Sequence, residues 1–209
     1  MRRIVPAGDR ALLIVFGDTM TPETLADLLT FEAALRRVKP HGLIGTVPAY
    51  ASLLCTYDPD VISGPALERQ LRALAAPQRK RLPQAVHEVP VRYEGPDLAR
   101  VAQHAGLSVA DVVSTHAATE YLVYAIGFAP GFTYCGILPE VLATPRLPSP
   151  RTRVEPGSVG IAGRQTGMYA VASPGGWNII GRTDTVLFDP RRRPPARFRP
   201  GDRLRFVPA

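Results

Sequence analysis

Between Gly127 and Arg182 the chain is punctuated so densely by glycine and proline that no long helix fits. The run Gly127-Phe128-Ala129-Pro130-Gly131-Phe132-Thr133-Tyr134 is followed by Arg151-Thr152-Arg153-Val154 and Gly157-Ser158-Val159-Gly160-Ile161-Ala162-Gly163. Then come Gln165-Thr166-Gly167-Met168-Tyr169 and Ser173-Pro174-Gly175-Gly176-Trp177-Asn178-Ile179-Ile180-Gly181-Arg182-Thr183. Gly supplies positive φ or close backbone approach, and Pro fixes φ and removes a donor. The short apolar runs between them therefore read as short strands joined by tight turns. The polar side chains among the turns (Arg151, Arg153, Gln165, Thr166, Tyr169, Trp177 and Arg182) are expected to converge on one shaped surface. A small β-barrel with ordinary corners is the plain structural alternative.

The rest of the chain falls into two domains, 1–82 and 83–209, for an α+β fold. In the first, Ile4–Arg10 and Ala11–Phe16 read as two strands around a Gly-Asp turn. Thr21 caps a helix that has Pro22 at its first position, and Leu25, Leu28, Leu29, Ala33, Leu35 and Val38 keep helical spacing up to Pro40. Leu43–Val47 and Ser52–Tyr57 read as strands, and Gly64-Pro65 opens a second helix with Leu67, Leu71 and Leu74 on one face. The order β-β-α-β-β-α is that of a two-layer domain, a sheet with helices over one face. The polar, Pro-flanked segment 76–83 reads as a linker. The second domain opens with strand His87–Tyr93, two short helices (the later one capped by Ser108) and strand Leu122–Phe128. After the Gly/Pro blocks come Thr185–Phe188, a Pro-rich corner at 190–195 and a final strand Leu204–Val207. Many short strands with Gly/Pro corners suggest a closed barrel.

Charge bears on partners. The formal net charge is +7, carried by 23 Arg against 2 Lys. The arginines are scattered, with dense runs only at 79–81 and 191–193, and no nucleic-acid motif accompanies them, so no nucleic-acid partner is expected. Cys55 and Cys135 each lie among apolar neighbours and are too few for a disulfide framework or a zinc site, so buried thiols are expected and no metal. Arg2 and Arg3 precede no continuous apolar stretch, and no run approaches the ~18 apolar residues of a membrane span. A cytoplasmic location without a membrane partner follows as the expectation.

Self-contained nucleotide chemistry has no motif here: there is no Gly-rich phosphate loop ending in Lys-Ser/Thr. Gly157-Ser158-Val159-Gly160 is not a nucleophile elbow, because Pro156 stands where the first glycine is needed. An ATP site would have to be built from loop amides and arginines and shared with a partner. His116 sits at a helix end with Glu120 four residues on; a catalytic group and a satisfied structural histidine are both open readings. Arg153 and Arg182 lie in Gly-rich blocks, where a guanidinium offers its two-pronged fork to a carboxylate or phosphate. Trp177 after two glycines floors a pocket or packs in the core.

The five ordered blocks resemble the family of the B subunit of the ATP-dependent prokaryotic 5-oxoprolinase, also called the KipI or allophanate-hydrolase-subunit-1 family. The likeness spans essentially the whole chain and departs only at Thr133, Cys135 and Ile137, beside one turn. It implies a cyclophilin-like β-barrel for residues 83–209. It also implies work with C and A subunits in which 5-oxoproline is phosphorylated at the expense of ATP and opened to glutamate. On that reading His116 and Arg153 are the catalytic candidates. Glu120, Arg151, Gln165, Thr166, Tyr169, Trp177 and Arg182 are the candidates for holding substrate or nucleotide. The same family leaves two other activities open: inhibition of a sensor histidine kinase, as by KipI, and a subunit role in an allophanate or urea amidohydrolase.

Overall fold

The computed structural model describes residues 3–74, 81–83 and 85–209. It is a mixed α/β structure that divides into two compact units, Met1–Leu82 and Pro83–Ala209. The linker expected at 76–83 falls largely outside the described residues. Among the described residues no helix is long and apolar enough to cross a membrane.

The first unit runs β1 (Arg3–Pro6), β2 (Ala11–Val15), α1 (Pro22–Val38), β3 (Leu43–Ala49), β4 (Ser52–Tyr57) and α2 (Gly64–Ala73). Its strands pair antiparallel in the order β1-β2-β4-β3. Helix α1 starts where its chemistry requires. Thr21 is extended, its side chain accepts the Thr24 N–H at 3.1 Å, and Pro22 fills a position whose N–H would have no partner. It ends on Lys39 in the left-handed region, which donates its N–H to the Leu35 carbonyl, one residue before Pro40. Leu28, Phe31 and Leu35 of α1 and Leu67 and Leu71 of α2 meet Leu12, Ile14, Leu53 and Cys55 of the sheet in one buried cluster. Burial, with Glu32 nearby, pushes the Cys55 thiol up to about 12.

The second unit contains β5 (Val86–Val91), α3 (Leu98–Ala105), α4 (Val109–Ala118), β6 (Glu120–Ile126), β7 (Thr133–Gly136) and a 3-10 turn at Glu140–Leu142. It continues with β8 (Arg151–Val154), β9 (Ser158–Ala162), β10 (Gln165–Met168), β11 (Ser173–Gly175), β12 (Asn178–Arg182) and β13 (Arg203–Pro208). Strands pair in the order β12-β9-β10-β7-β6-β13-β5, antiparallel except where β13 meets β5. The two ends of that path join: Arg92 and Arg182 exchange backbone hydrogen bonds of 2.8 and 2.9 Å, and Gly95 N–H donates to the Ile180 carbonyl at 3.1 Å. The ring has no open edge there, which removes the row of unpaired amides an edge would expose. Inside it Val89, Val91, Tyr121, Val123, Cys135, Val159, Ile161, Ile180 and Phe206 pack with Leu98, Val101 and Val112 of α3 and α4. Residues 185–188 make one isolated bridge, Phe188 to Ala196, rather than a ladder strand. Pro190, Pro194 and Pro195 have no N–H to extend the pairing.

Candidate functional site

On the outside of this ring a second, smaller cluster is rich in aromatics: Phe132, Tyr169 and Trp177, with Val154, Ala162 and Ile179, and Tyr134 packed against them. Glycine makes room for it. A Cβ on Gly167 of β10 would lie 2.6 Å from the Thr133 carbonyl oxygen and 3.1 Å from the Trp177 ring, so only a bare backbone lets the indole lie this close to the strand. Phe132 meets Tyr134 at 4.5 Å between ring centroids, Tyr169 at 4.8 Å and Trp177 at 5.4 Å. The latter two are edge-to-face, the arrangement that suits the ring quadrupoles.

These rings line a cleft of ≈ 240 Å³ with Phe128, Arg146, Pro150, Pro174, Gly175 and Gly176. Phe128 forms its rim, 66% exposed and with φ 70°, a left-handed conformation that strains a bulky residue and is held by the Gly127–Phe132 turn. Burial raises the Tyr134 and Tyr169 phenols above their ordinary range, with the Arg146 guanidinium pulling the other way on both. Both phenols therefore stay protonated at neutral pH and are able to donate a hydrogen bond. A larger groove of ≈ 530 Å³ in the first unit, beside the end of α1 and the start of β3, is lined by Leu35, Arg36, Lys39 and Leu43–Thr46. It gathers no aromatic and no acid–base pair, and the aromatic cleft is the better-formed chemical site. Among the described residues no group of three or more His, Cys, Asp and Glu side chains could hold a metal ion.

The expected site residues do not gather in one place. Tyr169 and Trp177 line the cleft. Arg151 stands beside it but is engaged: it donates to Asp97 at 2.8 Å, and the same carboxylate accepts the Ile179 backbone N–H at 2.7 Å. Arg151 thus ties β8 to the strand that follows Trp177. Arg153 and Arg182 lie elsewhere, on a charged ridge. Arg153 is 66% exposed in its side chain and pairs with Glu155 at 2.7 Å, and Arg182 sits within electrostatic reach of Glu155 and Asp184. Glu120 is the cross-strand ion-pair partner of Arg205, and Gln165 opens β10 opposite Ala162; neither lines the cleft.

His116 and Thr166 are deep in the ring's interior. The imidazole is 0% exposed and stacks on Phe206 at 4.7 Å. Thr166 Oγ1 donates to the Gly160 carbonyl at 3.2 Å, which makes it the acceptor of the His116 Nε2–H at 2.9 Å. The Nδ1 atom is then the acceptor of the Tyr93 hydroxyl at 2.8 Å. Burial pushes this histidine down to about 3, and it raises the Tyr93 phenol, so the whole chain of bonds is neutral. In this structure His116 and Thr166 both belong to a buried, neutral hydrogen-bonded network apart from the cleft.

Sequence reasoning missed Arg146, Phe128, Phe132, Tyr134 and Pro150 as cleft residues. For Arg146 the one available signal was a lone cation between prolines, in Thr144-Pro145-Arg146-Leu147-Pro148.

Comparison with known proteins places this geometry in context. The family described as "Carboxyltransferase domain, subdomain C and D" matches residues 2–198. The chain is similar to the B subunit of 5-oxoprolinase from Escherichia coli O157:H7, at 41% identity over 95% of this chain and 96% of that protein. It is similar to the B subunit of 5-oxoprolinase from Bacillus subtilis (strain 168) at 38% identity over 98% of this chain and 92% of that protein. Among solved structures, the protein TTHA0988 superposes over 96% of this chain with a TM-score of 0.86 and 42% identity. This chain spans 40% of that one.

Proposed function

The chain belongs to the family of the 5-oxoprolinase B subunit, within the carboxyltransferase-domain class, and from that premise we propose that it is one subunit of an ATP-dependent 5-oxoprolinase. The observation that carries this reading is the likeness at 41% and 38% identity across nearly the full length of both curated relatives. The closed ring of the second unit agrees with a cyclophilin-like barrel, and its outer aromatic cleft gives the subunit somewhere to hold a small molecule. The partner C and A subunits supply the rest.

5-Oxoproline is a lactam, and amide resonance makes its carbonyl carbon a poor electrophile. ATP, when bound, supplies the phosphoryl group that turns the lactam oxygen into a leaving group. With ADP released, one water would add to the activated carbon and the carbon–nitrogen bond open to leave an acyl phosphate; a second water would then release phosphate and leave glutamate. This chain's share is positioning and charge. With no Gly-rich phosphate loop of its own, it would meet a nucleotide through exposed guanidinium groups, with a partner closing the site. Arg153 and Arg182 on the charged ridge are the groups placed to do so.

The purified chain is expected to show no 5-oxoproline-dependent release of phosphate from ATP, and to gain it when mixed with the C and A subunits. Substrate-dependent turnover by the single chain, or none by the full mixture, would refute the assignment. Within that complex Arg153→Lys is expected to keep the melting temperature of the wild type and lower turnover roughly ten-fold or more, because an ammonium lacks the second prong of the fork. Unchanged turnover would confine Arg153 to its pair with Glu155.

A further inference from the structure

We propose that the aromatic cleft is the subsite for the substrate's ring, and that Arg146 grips the ring's carboxylate. The inference deepens the 5-oxoprolinase reading, on which it rests for the identity of the ligand.

The cleft's size selects the class of molecule. At ≈ 240 Å³ it is below the roughly 300–1,000 Å³ occupied by drug-sized ligands, so it suits a single small ring. Its walls select a flat one. Phe132, Tyr134 and Trp177 all line it, and an aromatic wall is the kind of surface against which a planar amide packs. The Tyr169 side chain lines the cleft beside these rings.

The charge selects an anion. Among the described residues no carboxylate stands within ion-pair distance of Arg146. Asp97 is taken by Arg151 and the Ile179 amide. The cleft therefore carries one uncompensated positive charge beside its aromatic floor.

The backbone that carries the exposed Arg146 side chain is held to the cleft on both sides. On one side Thr144 is fully buried and its carbonyl accepts the Gly163 N–H at 2.7 Å. The next carbonyl, of Pro145, accepts the Asn178 side-chain amide at 2.9 Å. On the other side Leu147 donates its N–H to the Gly176 carbonyl at 2.8 Å, in the turn that carries Trp177. Three hydrogen bonds thus fix the backbone on both sides of the guanidinium to the strands that floor the cleft. From that fixed backbone position the guanidinium can offer a carboxylate its two-pronged fork.

Trp177 is the chain's single tryptophan, so its fluorescence reports this cleft alone. Titration of the purified chain with 5-oxoproline is expected to give a saturable change. The uncharged lactam 2-pyrrolidinone, which lacks the carboxylate, is expected to bind roughly ten-fold or more weakly. Arg146→Gln should weaken 5-oxoproline by a similar factor and bind the two lactams alike, and Arg146→Lys should fall between. In the complex with the C and A subunits, Arg146→Gln should raise the KM for 5-oxoproline by the same factor and leave the KM for ATP unchanged. Turnover with an unchanged KM for 5-oxoproline in Arg146→Gln would overturn the subsite and leave the 5-oxoprolinase reading standing. A complex that does not turn over 5-oxoproline, with Trp177 still responding and the response lost in Arg146→Gln, would overturn the reading and keep the subsite. Without turnover, a silent Trp177 would overturn both.

Discussion

Stability is expected to fall by about 2 kcal/mol between pH 6.5 and about pH 5 on account of one imidazole, His116. Unfolded, this side chain titrates near 6.5; buried between Tyr93, Thr166 and Phe206 it is pushed down to about 3. Between those values the unfolded chain takes up a proton that the folded chain refuses, so the unfolded state binds more protons and stability rises with pH. Run downward, the loss starts as the pH drops through 6.5, grows by ~1.4 kcal/mol per unit, and levels off only below the folded value. Carboxylates in ion pairs add to acid lability mainly below about pH 4.5, so the interval above it belongs to histidine. His116→Gln is expected to be less stable than wild type at pH 7, since Tyr93 and Thr166 lose a well-fitted partner. It should also be markedly flatter between pH 7 and pH 5. Urea unfolding at a series of pH values measures both. Parallel pH profiles for the two proteins would mean that the imidazole takes up its proton in the folded state and that the buried neutral network is wrong.

The same residue shows where reading the sequence stops. His116 stood at a helix end near an acid, which is all that local spacing reports. Its fate was decided by Tyr93, Thr166 and Phe206, which reach it from the segment after β5, from β10 and from β13. Features that depend on neighbours in the chain were legible: Thr21 as a cap with Pro22 behind it, and the strand-and-turn punctuation from Gly127 onward. Tyr169 and Trp177 were legible as pocket residues for the same reason, because the glycines that seat them lie in the same blocks. The partners of the arginines were not legible. Arg151 finds Asp97 at a separation of 54 residues and Arg92 finds Asp184 at 92, and the identity of an ion pair at that range follows from topology alone. Arg146 was passed over because its meaning lies in an absence, the lack among the described residues of a carboxylate within ion-pair distance, which a sequence does not display.

The largest mechanical effect is expected from one methyl group, in Gly95→Ala. The ring of the second unit closes along a short seam, where Arg92, Gly95 and Asp97 bond to Arg182, Ile180 and Ile179 at 2.8 to 3.1 Å. A Cβ on Gly95 would lie 2.3 Å from the Ile179 carbonyl oxygen and 2.6 Å from the Gly181 nitrogen. Both are backbone atoms of β12, already fixed by pairing to β9, so no side chain can swing aside to relieve the contact. One of the two backbones must retreat, and the seam bonds and the Asp97 clasp that holds Arg151 and Ile179 are what would give way. Such a change belongs with the most damaging single substitutions, at roughly 4 kcal/mol or more, which for a chain of this size lowers the melting temperature by about 10 °C. Gly127→Ala is the matched control, since a Cβ there meets nothing within 4 Å. Thermal unfolding of the two variants separates a loss due to close approach from the general effect of replacing a glycine. Because β12 follows directly on Trp177, a folded fraction of Gly95→Ala should also show altered Trp177 fluorescence. Equal melting of Gly95→Ala and wild type would show that the seam opens without loss, and that the ring is held by the remaining ladders alone.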